Sequence, residues 1–139
     1  MTKQEYIEQG KKVLTLQIDR ECFEAIRKGE QKIEHRYIYP RNARQYVYFE
    51  CDGQPYQQQD DIPDNGKDIT ILPVRYEALY LINGRRKGAP RMMIEVEKAE
   101  FYILTDEKGK DLTFMQNGIE YYASQVWYHL GNVVFTENC

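Results

Sequence analysis

Glu34 and Arg36 stand two residues apart in the stretch Lys28-Gly29-Glu30-Gln31-Lys32-Ile33-Glu34-His35-Arg36. If the chain from Lys32 onward is a strand, alternation puts Glu34 and Arg36 on one face and Ile33, His35 and Tyr37 on the other. A guanidinium offers a planar fork of donors to a phosphate or a base edge. A carboxylate beside it can hold that fork in place or accept from an exocyclic amine. Taken on charge pattern alone, the plainer reading is a solvated pair on an outward strand face, worth under about 1 kcal/mol. Arg85-Arg86-Lys87, with Arg91 nearby, is the densest basic cluster. Such a loop suits a nucleic-acid backbone, although a hydrophilic hairpin tip needs no ligand. His35 and His129 are too far apart in sequence, and lack an evident third ligand, to suggest a metal site. Cys22, Cys51 and Cys139 form no CxxC pair, and Cys22 reads as a packed helix residue rather than a nucleophile. No cofactor is implied.

The elements that must position the pair are legible around it. Asp19 is a good N-cap, Glu21 falls in the first turn, and Phe23 and Ile26 make an apolar stripe through residues 20–28. Arg27 and Lys28 suit the negative end of the helix dipole, and Gly29 suits the left-handed residue that follows a helix. A strand over residues 12–18, with Leu14, Leu16 and Ile18 on one face, precedes the helix. A second strand, over residues 32–39, follows it and ends before Pro40.

The stretch resembles the signature of the ASCH domain family, a branch of the PUA-like β-barrels, in which Gly, Lys, Glu and Arg recur at set spacing. The pattern here is Gly29-x-Gln31-x-x-Glu34-x-Arg36, with Gln31 at the usual Lys position and Lys32 one place late. The residue order, strand then helix then signature then β-rich sequence, also matches. Tyr128-His129-Leu130-Gly131-Asn132-Val133-Val134 resembles the closing strand of such domains. The resemblance implies an α+β fold: a small mixed PUA-like β-barrel with one early helix and one or two short additional helices. It also reverses the solvated reading of Glu34 and Arg36, because in ASCH domains these positions line a ligand cleft between helix and barrel. The implied ligand is RNA or a nucleotide-like molecule, with Gly29, Gln31, Lys32, Glu34, Arg36, Arg85, Arg86 and Lys87 as the candidate binding residues. In such a partly wet cleft, neither charge of the pair should be needed for stability.

An alternative implied by the same resemblance is hydrolysis. Some small ASCH proteins remove the acyl group of N4-acetylcytidine with a Lys, a Thr and a Glu. Here the Lys and Thr positions hold Gln31 and Glu34, so Lys32, Glu34 and Glu95 are the only candidates for catalytic roles. A small interaction protein with a vestigial cleft is a third reading.

The remaining sequence sets the frame. At 139 residues the chain reads as one domain, with residues 1–11 an N-terminal extension of one or two helical turns anchored by Tyr6 and Ile7. Residues 52–70, rich in Asp, Gln, Gly and Pro, read as a long surface loop. Residues 46–50 and 74–82 read as strands. Between residues 92 and 103 the apolar phase slips near Lys98, suggesting a bulge. Residues 119–125 fit a helix or a strand, and 126–135 a closing strand broken at Gly131-Asn132. The net charge of -3 argues against tight duplex binding by phosphate neutralisation, without excluding one basic cleft. Twelve tyrosines suit a half-wet β-surface, and Tyr37, Tyr39, Tyr46 and Tyr48 could offer stacking faces. No segment has the roughly 20 apolar residues of a membrane span, and the N-terminus is no signal peptide. A reduced cytoplasmic protein is the expectation, with its oligomeric state open.

Overall fold

The computed structural model describes residues 2–57 and 61–139. In chain order its elements are α1 (Lys3–Glu8), β1 (Val13–Gln17), α2 (Arg20–Arg27), β2 (Ile33–Ile38), α3 (Ala43–Tyr46), β3 (Val47–Cys51), β4 (Gln54–Tyr56), β5 (Ile69–Pro73), β6 (Ala78–Ile82), β7 (Arg91–Ile103), β8 (Thr113–Gln116), β9 (Ile119–Tyr122) and β10 (Ser124–Glu137). The architecture is mixed α+β with one early helix of two turns and two shorter ones, as the sequence implies. Among the described residues the strands form a five-stranded sheet of order β1-β6-β7-β10-β2, a three-stranded sheet β4-β3-β5 and the hairpin β8-β9, with no closed barrel.

The chain divides into two compact units. The first takes the chain up to Glu34, Arg75–Lys98 and Tyr128–Cys139. In it β1 lies parallel to β6, from Val13 against Ala78 to Gln17 against Ile82. β6 lies antiparallel to the start of β7, from Ala78 against Glu95 to Ile82 against Arg91. β6 is apolar on both faces, the mark of a strand covered on both sides, and Ala78 to Leu81 are all buried. Tyr6, Ala78, Tyr80 and Met93 pack together, with Val13, Ile82, Val134 and Phe135 against them. Tyr6 therefore anchors α1, whereas Ile7 is exposed and does not. From α2, Phe23 and Ile26 are buried, as the apolar stripe predicts.

The second unit takes His35–Val74 and Ala99–Trp127. The expected long loop over residues 52–70 is a misreading in part, although residues 58–60 lie outside the described residues. Gln54–Tyr56 is a strand paired with β3, and β5 begins at Ile69. The turn between β3 and β4 is Asp52-Gly53, both at positive φ (52° and 78°), the two-residue hairpin geometry that an Asp-Gly pair favours. Asn117-Gly118 does the same between β8 and β9, which settles residues 119–122 as strand. Residues 74–77, expected to open a strand, are a connection, and the strand begins at Ala78.

Two further expectations concern the long strands. Glu97 and Lys98 are both exposed where the phase slips, within an uninterrupted β7. β10 is not broken at Gly131-Asn132 but runs unbroken for 14 residues. Gly131 has a different purpose, since a side chain there would crowd Glu97. No helix among the described residues is long and apolar enough to cross a membrane.

Candidate functional site

The candidate cleft of the first unit is built at the end of α2. Asp19 caps the start of this helix by accepting from the Cys22 N–H at 2.7 Å. At the other end Gly29, at φ 79°, reverses the chain. Its N–H donates to the Ile26 carbonyl at 3.1 Å, and that of Glu30 to the Ala25 carbonyl at 2.9 Å. These two bonds are the Schellman closure of a helix, and the left-handed residue they require is inexpensive only for glycine. The Gln31 side-chain amide then donates to the Ile33 carbonyl at 3.0 Å, and the Leu130 N–H donates to the Lys32 carbonyl at 2.8 Å. The first residues of β2 are thus tied to β10.

An open cleft of about 610 Å³ lies along this junction. Gly29, Gln31, Lys32 and Ile33 form one wall, Ile94 and Glu97 of β7 contribute another, and residues 129–133 of β10 complete it. Ile26, Ile94 and Leu130 make an apolar floor. The charged lining residues are Arg27, Lys28, Lys32 and Glu97, three cations to one acid in a chain that is acidic overall. Arg27 is held by Glu24 at 2.6 Å, a contact that lowers the carboxyl pKa of Glu24 and raises that of the guanidinium. Lys28 and Lys32 carry the rest of the positive field. Gly131 explains how Glu97 fits: a Cβ there would stand 3.2 Å from Glu97 Cγ and 3.4 Å from its Oε1. The missing side chain lets Glu97 lie across β10, which is a common reason for glycine within a strand.

The structure brings together Gly29, Gln31 and Lys32 and leaves other expected residues elsewhere. Glu34 and Arg36 do share a strand face with Ile38, while His35 and Tyr37 are exposed, so the alternation is as expected. The solvated-pair reading is not: Glu34 is only 8% exposed and Arg36 is half-buried. Neither is among the lining residues of the first unit's cleft, which stops at Ile33. Arg85, Arg86 and Lys87 are exposed on the loop between β6 and β7 and line no part of it. Arg91 makes contacts of its own. Its guanidinium is hydrogen-bonded to Tyr80, which raises its pKa, and the Tyr80 hydroxyl donates to Glu137 at 3.4 Å.

Glu95 is exposed and absent from the lining, and Glu97 is the β7 acid that faces the cleft. The Cys22 thiol is hydrogen-bonded to Asp19, and with partial burial and the nearby charges of Asp19, Glu34 and Glu21 this pushes its pKa up. That is the wrong direction for a nucleophile. Among the described residues no three His, Cys, Asp or Glu side chains converge as a metal site.

Arg27, Lys28, Glu97, His129 and Gly131 are polar or backbone-shaping cleft residues that sequence reasoning did not name as candidates. Gly131 carried the usable signal, since an interior strand glycine marks either a break or a close approach.

No protein-family model matches the chain, and no curated protein or solved structure matches it. The fold and cleft define a small α+β protein with a cation-rich pocket at a helix-to-strand junction.

Proposed function

We propose that the chain is an ASCH-like binding module that holds RNA or a nucleotide-like ligand at the α2–β2 junction, beside the Glu34/Arg36 segment. The observation that supports this best is the cleft itself. Gly29, Gln31, Lys32 and Ile33, from the first half of the signature, line an open pocket whose charges are mostly positive. Two exposed ammonium groups, Lys28 and Lys32, suit a phosphate, and the apolar floor suits the body of a base or sugar. Gln31, with its amide turned to the Ile33 carbonyl, shapes the wall at the position where the family carries Lys. Arg36 follows four residues after Lys32 on the same segment.

Calorimetric titration with nucleoside 5′-monophosphates and short single-stranded RNA tests the reading. Lys32→Ala and Lys28→Ala should each weaken binding, and raising the salt should weaken it further. Absence of binding by both ligand types at low salt would overturn it.

A second reading, hydrolysis of an N4-acylated cytidine, is favoured by one observation: Lys32, Glu97 and His129 line the same cleft. An ammonium, a carboxylate and an imidazole are the groups general acid–base catalysis uses. Chromatographic assay of N4-acetylcytidine for released cytidine decides it, and no turnover by the intact chain rules it out.

A further inference from the structure

The second unit contains its own cleft of about 470 Å³, whose composition is quite different from that of the first. Tyr39, Phe114 and Tyr121 are its aromatic walls. Phe114 and Tyr121 face one another across the β8–β9 hairpin with ring centroids 5.6 Å apart and planes 25° apart, and Tyr39 meets the edge of Phe114 at 5.9 Å. Both charged residues among the described lining are cationic, Arg41 and Arg44. Arg41 sits over the Tyr39 ring, 5.9 Å from its centroid. Arg44 is held at the rim by donating to Gln57 Oε1 from Nη2 (3.1 Å) and Nε (3.3 Å). In a chain with 22 acidic and 19 basic residues, an aromatic cleft whose only described charges are guanidinium groups has a specific complement: a flat ring attached to an anion.

The aromatic surface does not stop at the cleft. Tyr39 stacks with Tyr37 at 6.4 Å. Two residues back on the same face of β2 is His35, 4.4 Å from the Trp127 ring, which is in turn 4.7 Å from Tyr102. His35, Trp127 and Tyr102 belong to β2, β10 and β7, which are neighbours in the sheet. Tyr37 and His35 are exposed, and Tyr102 is exposed at the end of the row. The rings are fixed by their polar ends. The Trp127 N–H donates to Gln125 Oε1 at 2.9 Å, and the Tyr102 hydroxyl donates to Glu100 at 2.7 Å. The guanidinium groups of Arg41 and Arg44 make their end of the row the phosphate-binding one.

We propose that this unit binds single-stranded nucleic acid. One unpaired base enters the cleft against Tyr39, Phe114 and Tyr121 with its phosphate on Arg41 and Arg44, and the adjoining bases stack along Tyr37, His35 and Trp127. A row of rings outside the pocket fits a strand better than a lone nucleotide, which would use the cleft alone. A duplex, with its bases already stacked, has none to offer. This inference is independent of the reading of the first unit, since the two share no residue.

The test uses the whole chain, with Trp127, its single tryptophan, as the reporter. The ligands are an eight-nucleotide oligouridylate, uridine 5′-monophosphate and a blunt RNA duplex. The oligonucleotide should quench Trp127 and bind more tightly than the monophosphate, and the duplex should do neither. With that one phosphate engaged, log affinity against log salt should slope at about −0.7, and the Arg41→Gln/Arg44→Gln variant should flatten it toward zero. Tyr39→Ala should weaken oligonucleotide binding about 10-fold at unchanged melting temperature. Lys32→Ala should leave the quenching intact, which separates this site from the first. Equal binding of monophosphate and oligonucleotide, binding of the duplex, or no quenching by the oligonucleotide would overturn the proposal. So would a natively folded Arg41→Gln/Arg44→Gln variant that keeps the full salt slope.

Discussion

Replacing Gly29 by alanine isolates one backbone term, because an added Cβ meets nothing within 4 Å. No contact is lost and none is gained. The cost is conformational: an L-residue held at φ 79° gives up roughly 1–2 kcal/mol relative to the right-handed region. Against this, alanine narrows the unfolded ensemble and returns about 0.4–1 kcal/mol. The net loss should be about 1 kcal/mol, equivalent to a fall in melting temperature of roughly 3–5 °C for a chain of this size. Gly29→Asn, which tolerates the left-handed region better, should lose less than alanine. Urea denaturation is the assay. The midpoint should fall while the dependence on denaturant stays constant, since the same surface is exposed on unfolding. Because Gly29 also sets the direction in which residues 31–33 enter the cleft, any ligand of the first unit should bind Gly29→Ala more weakly. An alanine variant as stable as the native chain would mean that the Schellman closure does not require its left-handed residue, and the derivation of the helix end would fail.

Two further outcomes follow from burial and charge. Because Glu34 is almost fully buried, Glu34→Ala should destabilise the protein by roughly 2 kcal/mol, the low end of the cost of emptying a buried side-chain site; unchanged urea stability would restore the expectation of a wet, dispensable carboxylate. Cys22, with its thiol pKa raised by the hydrogen bond to Asp19, should react with iodoacetamide at half-maximal rate only at a higher pH than in the urea-unfolded chain. The linked stability is present below the ordinary thiol value and lost as pH rises through the raised one. A coincident pH profile for folded and unfolded Cys22 would contradict the contact.

Much of the first unit was legible because its signals are local. Asp19, Phe23, Ile26 and Gly29 each act within a few residues of themselves, so cap, stripe and stop could be read directly and all occur where expected. The alternation at Glu34, His35 and Arg36 was equally local. Its sense was not, because which face of a strand meets the core depends on what packs there. The Asp52-Gly53 hairpin was missed although the dipeptide is a strong turn signal. The strand after it is only Gln54–Tyr56, and three residues with a proline among them give no readable period.

The sequence by itself determined the α+β class, the helix with both its ends, and the positions in strand β2 that share a face. These depend on propensity and spacing along the chain, which every residue carries with it. Only the tertiary structure decided that Lys32 meets Glu97 and His129 in one cleft, that Gly131 is there to admit Glu97, and that Glu34 is buried. It alone lined up Tyr39, Phe114 and Tyr121 around Arg41 and Arg44. Residues 32, 97 and 129 are far apart in sequence, as residue 39 is from the hairpin that pairs 114 with 121. Their meeting depends on the order and register of strands, which distant segments fix only by packing against one another.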